Sequence, residues 1–145
     1  MKKILMAIVA LVTVFAASAR DSYSRDVNVL PASARTTLKN TFKADVSHIK
    51  IEKSLGRVSE YDVVMTDGTE VTFDRSGNWK DVEVKRGGEV PTALVPQLVK
   101  KYIDQYQRGA KIVGLEKNRS GYEVELSNGV EMRFDKDGKF VRYDD

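Results

Sequence analysis

The chain has no cysteine among its 145 residues, and it has a single histidine, His48. Without cysteine there can be no disulfide bonds, thiolate metal sites, cysteine nucleophiles or lipid-modified N-terminal cysteine. A zinc site would lack further nitrogen ligands, and a histidine-based triad would lack a nucleophile motif such as Gly-x-Ser-x-Gly. We therefore interpret His48 as a surface residue of a strand or loop, and we expect neither an enzyme nor a resident cofactor or metal.

The excess of positive over negative charge is also small. The formal net charge is +3, and it falls to +1 (3 − 2) without Lys2 and Lys3, which belong to a segment that we expect to be removed. So small an excess gives little reason to expect a nucleic acid or a membrane surface as partner. The chain also lacks a glycine loop for phosphate and a basic patch interleaved with aromatic residues. We predict no nucleic-acid partner.

Only one long hydrophobic run is present, at residues 4–17, and it precedes the small-x-small cleavage site Ala17-Ser18-Ala19. This is the pattern of a secretory signal peptide, with an uncleaved anchor as the alternative. The run is too short for a comfortable membrane span. We predict a signal peptide at 1–19, an exported chain that is periplasmic or secreted, and no stable membrane insertion after cleavage. The polar residues 20–28 are expected to form a mobile lead-in.

What the chain has instead is an internal repeat. The segment YDVVMTDGTEVTFDRSGNW at 61–79 returns as YEVELSNGVEMRFDKDGKF at 122–140, with 7 of 19 aligned positions identical at an offset of 61. Two unrelated segments would share roughly one position by chance. A segment with the apolar stripe of a helix precedes each copy. The first predicted helix begins at Leu30-Pro31, and the second begins near Val90-Pro91 or Val95-Pro96. We predict a first unit at 29–85 and a second unit at 90–145, each a helix followed by about four strands.

The helices and first strands of the two units can also be matched. An offset of 64 places Leu38 with Tyr102, and it places Ile49 in the alternating segment 48–53 with Val113 in the segment 111–117. The predicted repeat therefore covers most of the chain after the signal peptide.

Strict alternation of apolar residues determines how each repeated hairpin pairs, because directly opposed residues share a face. A two-residue loop at Asp67-Gly68 would place apolar residues opposite polar ones. A three-residue loop pairs like with like, and it requires a type I turn with glycine in the left-handed bulge position. The predicted pairs are Val63 with Val71, Tyr61 with Phe73, Val124 with Met132, Tyr122 with Phe134, Phe73 with Trp79, and Phe134 with Phe140.

The same alternation predicts a sheet with one apolar face, which the helices cover, and an opposite face that is acidic although the chain is not. We call this second surface the polar face. An acidic face with no attached chemistry predicts a binding surface, and the alternative is a face that is merely solvated. Its candidate binding residues are Asp62, Glu70, Thr72, Glu123, Glu125, Glu131 and Arg133.

One motif looks like a metal site. Asp135-Lys136-Asp137-Gly138 is similar to the start of a calcium loop, but the further oxygen ligands and the glutamate at position 12 are missing. Asp135 is better explained as the residue that starts a turn and accepts a local amide hydrogen bond, as Asp74 does in the first unit. We therefore assign no metal ligands.

The repeated motifs carry a family resemblance. They are Leu30-Pro31, Tyr61-Asp62-Val63, Asp67-Gly68 and Phe73-Asp74-Arg75-Ser76-Gly77 in the first unit, and Val95-Pro96, Tyr122-Glu123-Val124, Asn128-Gly129 and Phe134-Asp135-Lys136-Asp137-Gly138 in the second. With the signal peptide, they resemble the exported PepSY-like proteins, a family described as similar to the beta-lactamase inhibitor protein. The resemblance covers about 29–143, and its turn and core motifs are more specific for fold than for function.

The resemblance implies an α+β fold in which two tandem helix-plus-four-strand repeats share one antiparallel sheet of about eight strands, with the helices on one face. In the inhibitor the open sheet face binds a protein, and PepSY modules are associated with the restraint of peptidases. The inhibitor is disulfide-stapled whereas this chain has no cysteine, and none of the inhibitor's contact residues matches by motif.

We therefore expect a non-catalytic exported module that binds an unknown protein or peptide of the cell envelope through the polar face, and that could inhibit an envelope enzyme. The alternative is a small-ligand or cation-binding periplasmic protein that uses the acidic strand residues.

Overall fold

The computed structural model of the protein describes residues 20–85 and 87–144. The predicted signal peptide at 1–19 lies outside these residues. Within them the chain is α+β, with two α-helices and a single antiparallel sheet of nine strands in sequence order. The elements are β1 (Ser22–Ser24), a 3-10 turn (Val27–Val29), α1 (Ala32–Thr41), β2 (Val46–Ser54), β3 (Arg57–Met65), β4 (Glu70–Asp74), β5 (Trp79–Glu83), a second 3-10 turn (Thr92–Leu94), α2 (Gln97–Tyr106), β6 (Ile112–Asn118), β7 (Gly121–Leu126), β8 (Glu131–Phe134) and β9 (Phe140–Asp144).

The ninth strand comes from the segment that we expected to be a mobile lead-in. Residues 20–28 contain β1, which pairs antiparallel with β2 through Tyr23 opposite Lys50, and the start of the first 3-10 turn. The sequence of β1 is Ser-Tyr-Ser, so it shows no apolar alternation. An edge strand of three residues joins the sheet through its backbone, and it therefore leaves little trace in the hydrophobic pattern.

Both α-helices start directly after a proline, as expected for a residue whose missing amide has no helical partner. Pro31 precedes α1 and Pro96 precedes α2, while Pro91 precedes only the second 3-10 turn. The alternative start at Val95-Pro96 is therefore the α-helical one.

The helices match at an offset of 65 and not at the predicted 64. Ala34 and Leu38 are the buried residues of α1, and Val99 and Ile103 are those of α2, with 99 − 34 = 65 and 103 − 38 = 65. The predicted match of Leu38 with Tyr102 is wrong by one residue. The error arose because only part of the apolar stripe of α2 is buried. Leu98 and Tyr106 belong to the stripe but are exposed, so the stripe did not indicate which residues face the core.

The first strands of the two units also match differently from the prediction. Ile49 is opposite Val63, and Leu115 is opposite Val124. Since Val63 and Val124 are repeat partners, Ile49 corresponds to Leu115 (115 − 49 = 66) and not to Val113. The hairpin of β2 and β3 is the longer one, since 63 − 49 = 14 whereas 124 − 115 = 9, and its register shift between Glu52 and Lys53 has no counterpart in the pairing of β6 with β7. The sequence pattern did not reveal this difference.

The predicted register of the repeated hairpins is confirmed in both units. The glycines of the two three-residue loops, Gly68 and Gly129, both have φ of +85°, the left-handed value that the bulge requires. All six predicted pairs are present: Tyr61 with Phe73, Val63 with Val71, Phe73 with Trp79, Tyr122 with Phe134, Val124 with Met132, and Phe134 with Phe140.

One apolar row of directly opposed residues crosses the sheet from β2 to β9. It consists of Ile49, Val63, Val71, Val82, Leu115, Val124, Met132 and Tyr143. Its first seven members are at most 1% exposed. They form one core cluster with the buried residues of both helices. Val82 of β5 and Leu115 of β6 are directly opposed within this core, so β2–β5 and β6–β9 share a single hydrophobic interior.

Candidate functional site

The polar face is built from two further rows of directly opposed residues, which share a face because antiparallel partners point the same way. The upper row crosses all nine strands, and the lower row crosses β2 to β9. The upper row is Tyr23, Lys50, Asp62, Thr72, Asp81, Glu116, Glu123, Arg133 and Arg142. The lower row is His48, Val64, Glu70, Glu83, Gly114, Glu125, Glu131 and Asp144.

All seven residues predicted for the polar face lie on these rows. The upper row holds Asp62, Thr72, Glu123 and Arg133, and the lower row holds Glu70, Glu125 and Glu131. Sequence reasoning assigned no site residues to β1, β2, β5, β6 or β9, the strands outside the pairs β3–β4 and β7–β8. The alternate positions of β5 and β6, which place Asp81, Glu83 and Glu116 on the same face, were the available signal.

The first unit carries a shallow depression in the polar face. Its volume is about 290 Å³, and its lining includes Tyr23, His48, Lys50, Asp62, Thr72 and Asp81. Asp81 is 8% exposed, so the floor of this depression is a largely buried carboxylate at the centre of the sheet. His48, interpreted from the sequence as a surface residue, is half-buried at the wall of the depression.

Three carboxylates meet on β2 and β3. Oxygens of Glu52, Glu60 and Asp62 lie within 4.8 Å of one another, because the β2–β3 register places Glu52 opposite Glu60 and Lys50 opposite Asp62. Asp62 accepts a hydrogen bond of 2.8 Å from Thr72 Oγ1. Three like charges at such separations repel one another unless a proton or a cation lies among them.

The cluster distributes its charge unequally. Burial, together with the charges of Glu52 and Glu60, raises the pKa of Asp62 above its usual range, although the hydrogen bond from Thr72 opposes this. The hydrogen bond from Lys50, whose Nζ is 2.5 Å from Glu52 Oε1, lowers the pKa of Glu52. The same contact raises the pKa of Lys50. Asp62 is therefore the member whose pKa is shifted towards taking up a proton.

The far end of the polar face is neutralised by arginine. Arg133 contacts Glu123 at 3.0 Å and Asp144 at 2.5 Å, and Arg142 contacts Asp144 at 2.9 Å. Arg133 first and Arg142 second hold the pKa of Asp144 below its usual range. The acidic character of the polar face is thus greatest away from β8 and β9.

The calcium-like motif behaves as a turn. Asp135 Oδ1 accepts hydrogen bonds of 2.9 Å from the amides of Asp137 and Lys139. Asp74 accepts from Ser76 and Asn78 in the same way, at 2.8 and 3.0 Å. These local bonds explain both aspartates as turn residues.

Neither helix of residues 20–85 and 87–144 has the length and apolar character that crossing a membrane requires. The class of protein defined by this fold is an α+β domain with a single antiparallel meander, one buried face and one polar face.

The chain belongs to the family described as "putative beta-lactamase-inhibitor-like, PepSY-like", whose model matches residues 59–142. The family expectation from the sequence is thereby confirmed. No curated protein matches the chain.

Three solved structures are similar over nearly the whole described chain. One, from Bacteroides vulgatus, is 40% identical with a TM-score of 0.81, covering 87% of this chain and 100% of that one. One, from Bacteroides thetaiotaomicron, is 31% identical with a TM-score of 0.79, covering 86% and 97%. Another from Bacteroides vulgatus is 35% identical with a TM-score of 0.77, covering 86% and 97%.

All three are described as putative periplasmic proteins, the first as one of unknown function and the second as calcium-regulated. The predicted export to the periplasm agrees with these descriptions.

Proposed function

We propose that this chain is a non-catalytic protein of the cell envelope that binds a protein or peptide partner on its polar face. The observation that carries the proposal is the continuity of the two polar rows across the sheet. In this arrangement the two units are tandem copies, and their helices cover the apolar side of the sheet. This is supported by the core, because the buried residues of both helices pack with the apolar row in one cluster. The family relationship supports a binding role as well.

The charge of the face indicates what kind of partner fits. Glu70, Glu83, Glu125 and Glu131 occur in one row, and Gly114 interrupts their side chains between β5 and β7. Complementary charge speeds association and selects among partners more than it adds affinity. A partner segment that presents lysine or arginine to this row would therefore associate faster, and would be selected over partners without that charge.

The test begins with a pull-down that uses the chain without its signal peptide as bait, followed by chemical-shift mapping with the purified partner. Amides of β3, β4, β7 and β8 are expected to shift. The variants Glu70→Gln and Glu131→Gln should weaken binding, whereas Glu89→Gln, at an exposed position outside the strands, should not. Shifts confined to α1 and α2, or equal effects of all three variants, would contradict the proposal.

A second candidate function is cation binding, and the cluster of Glu52, Glu60 and Asp62 is the observation that favours it. Calcium is bound by carboxylate oxygens at about 2.3–2.6 Å. Two oxygens on opposite sides of one ion are therefore about twice that distance apart, which is compatible with the 4.8 Å within which the oxygens of this cluster lie. The relative described as calcium-regulated supports this candidate. The bound ion would compete with Lys50 for Glu52.

Thermal unfolding with calcium chloride distinguishes this candidate. A ligand that binds only the folded state stabilises it by about 2.7 kcal/mol at 100 times its Kd. Calcium is expected to raise the Tm of the wild type and of Glu70→Gln, but not of Asp62→Asn, with magnesium chloride as the comparison. An unchanged Tm in the wild type, or an equal rise in Asp62→Asn, would exclude this cluster as the site.

A further inference from the structure

One edge of β9 is open, since β9 pairs only with β8 in the described sheet. β5 is its counterpart in the first unit. Both strands have the same register with the preceding strand, including a bulge one residue after the aromatic pair. Trp79, Asp81, Val82 and Glu83 of β5 correspond to Phe140, Arg142, Tyr143 and Asp144 of β9.

The first unit shows what covers such an edge. β6 pairs antiparallel with β5 and places Leu115 opposite Val82. The amide of Val84 donates to Val113 O at 2.9 Å. Alternate residues of a strand direct their amides to the same side, so the amide of Val82 also points to β6. By the shared register, the amide and carbonyl of Tyr143 point to the open side of β9.

The apolar row supports the same conclusion. Its members are buried from Ile49 to Met132, but its last member, Tyr143, is 46% exposed. Tyr143 contacts the ring of Phe140 at 5.1 Å, and Phe140 stacks on Tyr102 at 4.5 Å. Tyr106 of α2, 56% exposed, completes this aromatic group. An unpaired strand edge is a template for the addition of another strand, and the exposed aromatic group beside β9 supplies apolar surface that an added strand would bury.

We infer that β9 pairs antiparallel with β9 of a second copy of this chain. A two-fold axis through Tyr143 places Tyr143 opposite its counterpart, and it places Arg142 of each copy opposite Asp144 of the other. The edge is therefore self-complementary in both charge and apolar character, as a two-fold interface must be. The pairing repeats the β5–β6 arrangement, with Tyr143 of the second copy in the position that Leu115 holds beside Val82.

The interface is small, because β9 contributes only a few residues. Stable interfaces bury about 1,600 Å², and this one is expected to bury less. The dimer should accordingly be weak and dependent on concentration. It does not involve the binding proposed for the polar face, so either proposal can fail without the other.

Sedimentation equilibrium of the chain without its signal peptide, from about 10 µM to about 1 mM, tests the pairing, since a small interface predicts dissociation in this range. The wild type is expected to be in monomer–dimer equilibrium. Arg142→Asp alone and Asp144→Arg alone each place like charges opposite one another twice, and each should weaken dimerisation at least tenfold. Lys101→Asp, at an exposed position of α2, is the control and should have no effect.

The decisive result is restoration. An equimolar mixture of Arg142→Asp and Asp144→Arg places opposite charges across both positions and should dimerise again, as should the double variant Arg142→Asp/Asp144→Arg with itself. Circular dichroism checks that each variant is folded. A monomer at all concentrations, single variants that dimerise like the wild type, or a failure of both restorations would overturn the inference. Growth beyond a dimer would overturn it as well, because it would indicate pairing of β9 with β1 of the next copy.

Discussion

Gly77 lies where the turn between β4 and β5 meets the start of α1, and its replacement by alanine tests how tightly the helix is seated. Its φ is +89°, and a Cβ atom there would clash with Ser33 Oγ and lie 2.9 Å from Pro31 Cβ and 3.0 Å from the amide nitrogen of Ala34. Ser33 Oγ also donates a hydrogen bond of 2.8 Å to Ser76 O. A methyl group at this position must therefore displace the first turn of α1 and disturb that hydrogen bond.

Two costs add up at this position. The left-handed conformation costs an alanine about 1–2 kcal/mol, and overpacking costs a further 1–3 kcal/mol or so. Gly77→Ala is therefore expected to lower the free energy of unfolding by about 2–5 kcal/mol. Gly129→Ala is a matched control, because Gly129 has φ of +85° and its Cβ would meet no atom within 4 Å. It should cost only the conformational part, about 1–2 kcal/mol.

Urea unfolding followed by circular dichroism measures both variants, with the midpoint and the slope fitted separately. Amide shifts in Gly77→Ala should be largest at the start of α1, and those in Gly129→Ala should stay within its own turn. Equal losses of stability in the two variants would show that α1 is not seated against the turn as the structure places it.

Three further results are expected. Asp62→Asn keeps an acceptor for Thr72 and removes a carboxyl group whose pKa is raised in the folded state. The substitution should raise the free energy of unfolding at pH 7. This gain should vanish as the pH falls below the ordinary aspartate pKa of about 3.9, where the carboxyl group is protonated in both states. Arg133→Gln should raise the pKa of Asp144 in a carboxyl NMR titration, because Arg133 is the main cause of its lowering; an unchanged pKa would contradict this. Leu115→Ala should cost about 2–5 kcal/mol and leave a single unfolding transition by calorimetry, whereas two transitions would show that the units do not share one core.

The register of the repeated hairpins was predictable because it is encoded twice, in the alternation and in the loop glycines. A slip of one residue would move Val63 and Val71 to the solvent side, so the hydrophobic pattern alone excludes it. The polar face followed from the same argument, since its residues are the other half of the alternation. This is why Asp62, Glu70 and Thr72 could be assigned to one face before the structure was known.

Features that depend on contacts between distant segments were not predictable. β1 joins the sheet through backbone pairing with β2, and its sequence has no apolar pattern from which that pairing could be predicted. The carboxylate cluster depends on the bulge between Glu52 and Lys53 in the pairing of β2 with β3. The match of the two helices was one residue off because burial, and not hydrophobicity, defines which part of a stripe faces the core.

The polar face and the β9 edge are connected by geometry. Directly opposed residues of antiparallel strands share a face, so pairing Arg142 with Asp144 of a second copy makes the two polar faces continuous. The arginine-neutralised strands β8 and β9 would then meet at the centre, and the acidic strands β3 to β7 of each copy would lie on either side of them. A partner with two basic segments would contact both acidic regions at once, and the second contact would form at a high effective concentration. A weak dimer could in this way strengthen binding on the polar face without adding any contact to it.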